Sequence, residues 1–271
     1  MSMTMKVMTF NLRVAVPFDP FRWDQRKEWA AQIMERYAPD LIGTQEATVS
    51  MLSWLKERFS DTYDIYGVNR TTSGAGEFSA VFVKKSKFAI SRKHSFMLSE
   101  TPDIIGSKGW DAQCERICSW VELTEKNSTE PILRFFNTHL DHIGKIARKE
   151  GLKLILQKVM EENRSYPLPV VITGDFNDVP GSGLLEEAKK MLPMASCYDI
   201  LSEEEKKQTL TFHGYRGGTT GSPIDYILCD QPNAFLSTTI IRDQFQGGYP
   251  SDHYPVISRL QIEPGLKNIM M

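Results

Sequence analysis

Residues 170–177 read Val-Val-Ile-Thr-Gly-Asp-Phe-Asn. A short apolar, β-branched run of this kind is a buried strand, and it turns polar at its end. The same change recurs on either side of it. Residues 132–138 form a second strand pattern that ends in Asn137-Thr138-His139-Leu140-Asp141-His142. Residues 6–10 run into Asn11, and residues 40–44 run into Gln45-Glu46. Two late segments reverse the order. Ile224-Asp225-Tyr226 opens a strand pattern over 224–229, and Ser251-Asp252-His253 precedes one over 255–262. Further strand patterns cover 79–84 and 117–123.

Helical patterns lie between the strands. Over 24–37, Trp29, Ala30, Ile33, Met34 and Tyr37 share a face, and Pro39 limits extension. A second helix is expected over 48–59, with Val49, Leu52, Leu55 and Phe59 inward. A third is expected over 143–162, with Ile143, Ile146, Leu152, Ile155, Leu156, Val159 and Met160. A fourth is expected over 184–191, capped by Ser182. Strands outnumber helices, so a layered α/β or α+β fold with a mixed sheet follows. In such a sheet the C-terminal end of one strand lies beside the N-terminal end of its antiparallel neighbour. All six polar groups then fall on one rim. The strand–helix order of 6–59 recurs loosely over 132–191, which hints at two related halves.

Composition narrows the class. The chain has 271 residues, of which 41% are hydrophobic and 24% charged, enough for a real core. Its formal net charge of −2 supplies no basic surplus for a sequence-blind grip on duplex DNA. No apolar run is long enough to span a membrane, and the first residues lack a signal-peptide core. A cytoplasmic protein with reduced thiols is expected. Cys114, Cys118, Cys197 and Cys229 form no CxxC pair and are read as structural, the first two sharing a strand face. No Pro/Gly/Ser linker divides the chain, and 203–207, Glu-Glu-Glu-Lys-Lys, reads as a solvated face.

Each polar group has a plain alternative. Asn11 or the Gly-Asp-Phe-Asn segment is also a turn, Glu46 is also a helix cap, and a single His139 is also a structural residue. Independent turns do not explain why every such strand end carries a metal-compatible or proton-transferring group. Hard oxygen donors without a Cys or His cage point to Mg²⁺ or Mn²⁺ rather than Zn²⁺. The glycine-rich segment 213–221 is a loop without a P-loop ending, and Ser182 is not in a nucleophile elbow.

The combination Asn11-Leu12-Arg13, Gln45-Glu46, 137–142, 174–177, 224–228 and 251–256 resembles the endonuclease/exonuclease/phosphatase, or DNase I-like, superfamily. The resemblance runs from about residue 6 to 260. Trp110-Asp111-Ala112 with Arg116 is similar to a bacterial subgroup that itself resembles deadenylase catalytic domains. The resemblance implies an α/β four-layer sandwich, with two central mixed β-sheets flanked by helices. It implies a single domain over 1–271 with pseudo-twofold halves at about 5–125 and 131–263.

The resemblance also implies roles. Glu46 corresponds to the principal metal ligand with Asn11 beside it, and Asp252 to a further carboxylate on the metal side. Asp175 and Asn177 position the attacking water and contact the phosphate or a second metal. His253 sits at the scissile phosphate, oriented by Asp225, and His139 bonds the phosphate or assists the leaving group. Arg116, Arg13, His142 and Trp110 are candidates for substrate binding, Trp110 by stacking a base, and Glu77 is a candidate for lining the cleft. The expected activity is hydrolysis of a phosphodiester or phosphomonoester with Mg²⁺ or Mn²⁺. Nuclease or deadenylase-like action on RNA, DNA or a nucleotide and phosphatase action on a sugar or inositol phosphate both remain open. The alternative is a silent member that only binds a nucleotide, lipid headgroup or protein. No protein partner is evident.

Overall fold

The computed structural model describes residues 2–263, so both ends of the expected 1–271 span lie outside the described residues. In chain order the strands are β1 (Met3–Asn11), β2 (Leu41–Ala47), β3 (Tyr63–Tyr66), β4 (Phe78–Lys84), β5 (Phe88–Met97), β6 (Ile117–Glu125), β7 (Pro131–His139), β8 (Val170–Asp175), β9 (Ala195–Ser196), β10 (Asp225–Cys229), β11 (Phe235–Ile240) and β12 (Val256–Ile262). The helices are α1 (Trp23–Tyr37), α2 (Val49–Arg58), α3 (Lys145–Ser165), α4 (Leu184–Met191) and the single turn α5 (Glu203–Lys206). The strands form two six-stranded mixed sheets, ordered β11-β12-β1-β2-β4-β3 and β5-β6-β7-β8-β10-β9. Adding six to each strand number of the first sheet, counting round past twelve, gives the second.

The sheets pack face to face with helices outside, as a four-layer α/β sandwich. Strand alternation divides the core. Met5 and Val7 of β1 and Leu41 of β2 join a cluster with Phe135 of β7 and Val171 of β8 across the sheet–sheet gap. Met8 and Phe10 of β1 and Ile42 of β2 turn outward to Ala30, Ile33 and Met34 of α1 and Met51, Leu52 and Leu55 of α2. On the second sheet, Leu152, Ile155, Leu156 and Val159 of α3 and Leu184 and Ala188 of α4 close the opposite layer.

Toward the rim the gap between the sheets becomes polar. Gln45 Nε2 donates to Asn137 Oδ1 at 2.7 Å and to Thr9 Oγ1 at 3.2 Å. Asn137 Nδ2 donates to the carbonyls of Thr44 (2.8 Å) and Ala80 (3.0 Å), and Thr173 Oγ1 donates to Asn137 Oδ1 at 3.1 Å. Gly43 makes the close approach possible, because a Cβ there would lie 2.0 Å from Thr173 Oγ1 and 2.4 Å from Asn137 Oδ1. This seam joins the two sheets directly beneath the strand ends. Asn137→Ala strands several buried groups at once, so it should lower the unfolding free energy by about 3 kcal/mol. Urea unfolding checks this, and a loss too small to measure would contradict the seam.

Four expectations need correction. Cys114 does not share a strand with Cys118, because β6 begins only at Ile117. Ile143 and Ile146 are exposed rather than inward, since Ile143 precedes α3 and Ile146 is its second residue, before its buried stripe begins at Ala147. Gly183, with φ +97°, is the N-cap residue of α4, and Ser182 Oγ instead accepts from Leu184 N at 3.3 Å. Val49, expected inward, is exposed as the first residue of α2, whereas residues 203–206 are solvent-facing as expected, in a helical turn closed by a capping box between Ser202 and Glu205.

Candidate active site

The parallel pairs β1–β2 and β7–β8 end on one rim, where β10 begins and where the segment before β12 arrives. Register sets the neighbours: Asn11 lies beside Gln45, His139 beside Asp175, and Asp175 opposite Asp225. The inner-face series of β1, β7 and β8 end in Asn11, His139 and Asp175. Each thus points from the polar seam into the rim.

Glu46 reaches the same place by a different route. Regular alternation would aim it outward toward the helices. The pairing of β2 with β4 instead slips between Thr44 and Ala47, and Glu46 takes a left-handed φ of +63°. Its Oε1 then accepts from Asn11 Nδ2 at 2.9 Å and its Oε2 from Val14 N at 2.8 Å. Asn177 (φ +50°) and Arg13 (φ +56°) share this left-handed geometry. Both end Asx turns, since Asp175 Oδ1 accepts from Asn177 N and Asn11 Oδ1 from Arg13 N, each at 2.9 Å. The turns leave one atom of each side chain free for the site. Asp175 Oδ2 accepts from Asn11 Nδ2 at 2.9 Å and lies 3.5 Å from His139 Nε2 and 3.7 Å from His253 Nε2.

His253 Nδ1 meets Asp225 Oδ2 at 2.9 Å, and both side chains are buried. Burial works against a charge on His253, but Asp225 and Asp175 outweigh it and raise the imidazole to about 10. Burial and the Asp225 charge push the Asp175 carboxyl up, with His253 opposing. Asp252 is also raised, by burial and by Glu46, against the pull of His253 and Arg13. Burial would raise Glu46 too, but the Val14 N–H, the His253 charge, the Asn11 amide and Arg13 hold it below its ordinary value. His139 is held neutral by burial and by the nearby charges of Arg116 and Arg70. Asn177 Nδ2 donates to the carbonyl of Leu140 at 3.0 Å and faces His139 Nε2 at 2.9 Å, so the imidazole proton resides on Nδ1.

The donor chemistry fits a hard dication. Glu46, His139 and Asp175 place one ligand atom each within 4.8 Å of one another. Burial lifts Asp175 and Asp252 most and neighbouring carboxylates add to it, and a divalent ion would relieve that repulsion. Asn11 stands directly beside Glu46. Its oxygen is committed to Arg13 N, and it turns its Nδ2 toward Glu46 and Asp175.

A cavity of about 330 Å³ opens on this rim. Arg13, Glu46, His139, Asp175, Asn177, Asp252, His253, Arg116 and His142 line it, as does Glu77. Asp225 stands behind His253. Arg13 is bidentate to Asp19, at 2.9 and 3.0 Å, and only 3.6 Å from Asp252, so most of its fork is engaged within the protein. Trp110 does not line the cavity and is corrected as a stacking residue. Its N–H is held by Glu100, while the adjacent Asp111 is drawn to the start of α3, accepting from Ala147 N at 2.7 Å. Asp141, four times an acceptor of backbone N–H groups, ties the 113–114 loop to the same helix start. Cys114 lines the cavity, whereas Cys118, Cys197 and Cys229 are buried and burial pushes their thiols up.

Sequence reasoning missed three contributors. Arg70 lines the cavity from a loop with no periodic signal, and Phe212 packs over His253 with ring centroids 5.0 Å apart. Arg26 is wholly buried in α1 and donates to the carbonyls of Phe21, Leu12, Pro250 and Arg13. It clamps the loops that carry Arg13 and Asp252. A buried cation inside an apolar helical stripe is the one trace of it in the sequence.

The chain matches the model of the Endonuclease/Exonuclease/phosphatase family over residues 8–253. A family protein from Bacteroides thetaiotaomicron has a solved structure with TM-score 0.87 and 33% identity, covering 97% of this chain and 99% of that one. The mannosyl-6-phosphatase of Bacteroides thetaiotaomicron gives TM-score 0.85 and 34% identity, covering 94% and 99%. The human Nocturnin catalytic domain, at 18% identity and TM-score 0.72 over 95% and 94%, shares the fold. A search among curated proteins gave no match.

Proposed function

We propose, from the premise that this chain belongs to the endonuclease/exonuclease/phosphatase family, that it is a metal-dependent phosphoesterase. The observation that carries the reading is the single rim where the Glu46, Asp175 and Asp252 carboxylates meet the Asp225–His253 couple. We read the chain as one domain of two related halves, at about 5–125 and 131–263, with the rim shared between them.

Glu46 and Asp252 would hold Mg²⁺ or Mn²⁺, which supplies a Lewis acid beside the phosphate as charge shifts to its oxygens. Asn11 fixes the Glu46 and Asp175 carboxylates by its amide N–H groups. Asp175 Oδ2 and Asn177 orient the attacking water, and Asp175 accepts its proton. His253, charged and held by Asp225, binds a non-bridging oxygen through Nε2 and offsets its growing charge. His139, neutral and with its Nε2 lone pair facing Asn177, would fix the Asn177 amide rather than act as a second cation.

The test is turnover of phosphoesters by purified protein before and after metal stripping. Activity should vanish in EDTA and return with Mg²⁺ or Mn²⁺. Full turnover by stripped protein would refute the metal role. Absence of turnover with every metal and ester would leave the silent binding protein as the better reading.

A further inference from the structure

Among the described residues, buried and half-buried arginines differ in how fully their forks are used. Arg26 has four carbonyl acceptors. Arg134 is met by Glu122, Asn163 and the carbonyl of Tyr166. These are fully partnered structural cations. Arg70 and Arg116 are not. Arg70 Nη1 pairs with Glu77 at 2.8 Å, and its Nε is buried without a partner. Arg116 Nη2 meets His142 Nδ1 at 3.2 Å, its Nε has no hydrogen-bond partner, and its nearest carboxylate is Asp141 at 3.6 Å. The Arg116 side chain is only 5% exposed. Burying a guanidinium with so much of its fork unused is costly unless an anion completes it.

Both arginines line the cavity, on the side where Glu77 and His139 also stand. Both depress the His139 imidazole, so their charges stand close to it. Glu77 feels both as well, and burial raises its carboxyl against their pull. Fixed positive charge is therefore gathered on one wall of the cavity, in a chain whose formal net charge is −2. A polymer backbone would need that charge spread along a track.

We propose that Arg70 and Arg116 form a socket for the terminal oxygens of a phosphomonoester, and that such monoesters are the substrate class. This rests on the phosphoesterase reading above. Near neutral pH a monoester carries two charges on three non-bridging oxygens, whereas a diester carries one charge on two. With one oxygen on the metal side and another on His253, the third of a monoester meets the two forks. A diester would place an uncharged ester arm there and leave the unused part of both forks unfilled. In the reaction, the water oxygen forms a new P–O bond and the P–O bond to the alcohol breaks. The water proton, taken up by Asp175, ends on the departing alkoxide, giving alcohol and inorganic phosphate.

The test compares p-nitrophenyl phosphate with bis(p-nitrophenyl) phosphate, which share a leaving group, in saturating Mn²⁺. Wild-type kcat/KM should favour the monoester. Arg70→Met and Arg116→Met should each lower kcat/KM for the monoester roughly 10- to 100-fold, as expected for losing a charge-assisted bond. The diester should lose at least tenfold less, and Arg70→Lys should restore part of the loss because it keeps charge without the fork. Equal losses on both esters, or preference for the diester, would overturn the socket. Turnover of neither ester would overturn the phosphoesterase reading instead. The socket then stands or falls on inorganic phosphate with Mn²⁺, which should raise the Tm of the wild type and not of a folded Arg70→Met variant. No rise in the wild type refutes it.

Discussion

Glu46→Gln should cut kcat/KM on the order of 10³-fold or more, because Glu46 is one of the two carboxylates proposed to hold the metal. Gln is nearly isosteric, yet it exchanges one oxygen for an NH₂ group. Both Glu46 oxygens accept hydrogen bonds, from Asn11 Nδ2 and Val14 N. The amide therefore faces one donor with another donor and drops the negative charge as well. The local cost should be about 1–3 kcal/mol of stability, which a domain of this size survives. Mn²⁺ binding followed by calorimetry separates metal loss from any later defect. Unaltered metal affinity together with unaltered turnover would remove Glu46 from the centre.

The second large effect concerns Asp225 and His253. Acid–base and electrostatic help from a positioned imidazole is worth about 10²–10⁴-fold, so His253→Ala should lower kcat by that order and change KM less. Asp225→Asn should lose much of the same factor. The 2.9 Å bond to Nδ1 fixes the ring, and its charge keeps the imidazole protonated. An amide at 225 still fills the space but no longer supports that charge. The double variant should be little worse than His253→Ala, since residues that act as a unit are non-additive. Strictly multiplicative losses would show that the two act separately.

The inner strands were legible because their apolar runs are continuous. The strands that sequence reasoning overlooked are β3, β5, β9 and β11, and these are the four sheet edges. An edge strand is half solvated, and its sequence shows it: β5 reads Phe-Ala-Ile-Ser-Arg-Lys-His-Ser-Phe-Met and β11 Phe-Leu-Ser-Thr-Thr-Ile. Without a long apolar run they resemble loops. The site was legible where strand alternation aims a side chain, as at Asn11, His139 and Asp175. Turn and site proved to be the same structure at Asn11 and Asp175, where one side-chain atom closes the turn and the other faces the cavity. Glu46 was legible only as a residue type, because its aim depends on a register slip and a left-handed backbone. Arg70 and Arg26 depend on contacts far apart in the chain, and no local pattern marks them. Trp110 was misplaced because its neighbour Asp111 anchors α3.

The polar seam beneath the site has a consequence for the timing of synthesis. The seam and the bonds above it join residues from opposite sheets: Gln45 to Asn137, Asn11 to Asp175, Asp225 to His253. The first strand made, β1, takes one of its two partners from β12, near the far end of the described chain. His253 arrives with that same segment. A growing polypeptide carries Asn11 and Glu46 long before Asp225 and His253 are added, and cannot assemble the site until they are. The candidate centre is complete only once the segment carrying His253 and β12 has paired with β1, so a copy lacking that segment would lack the activity proposed above.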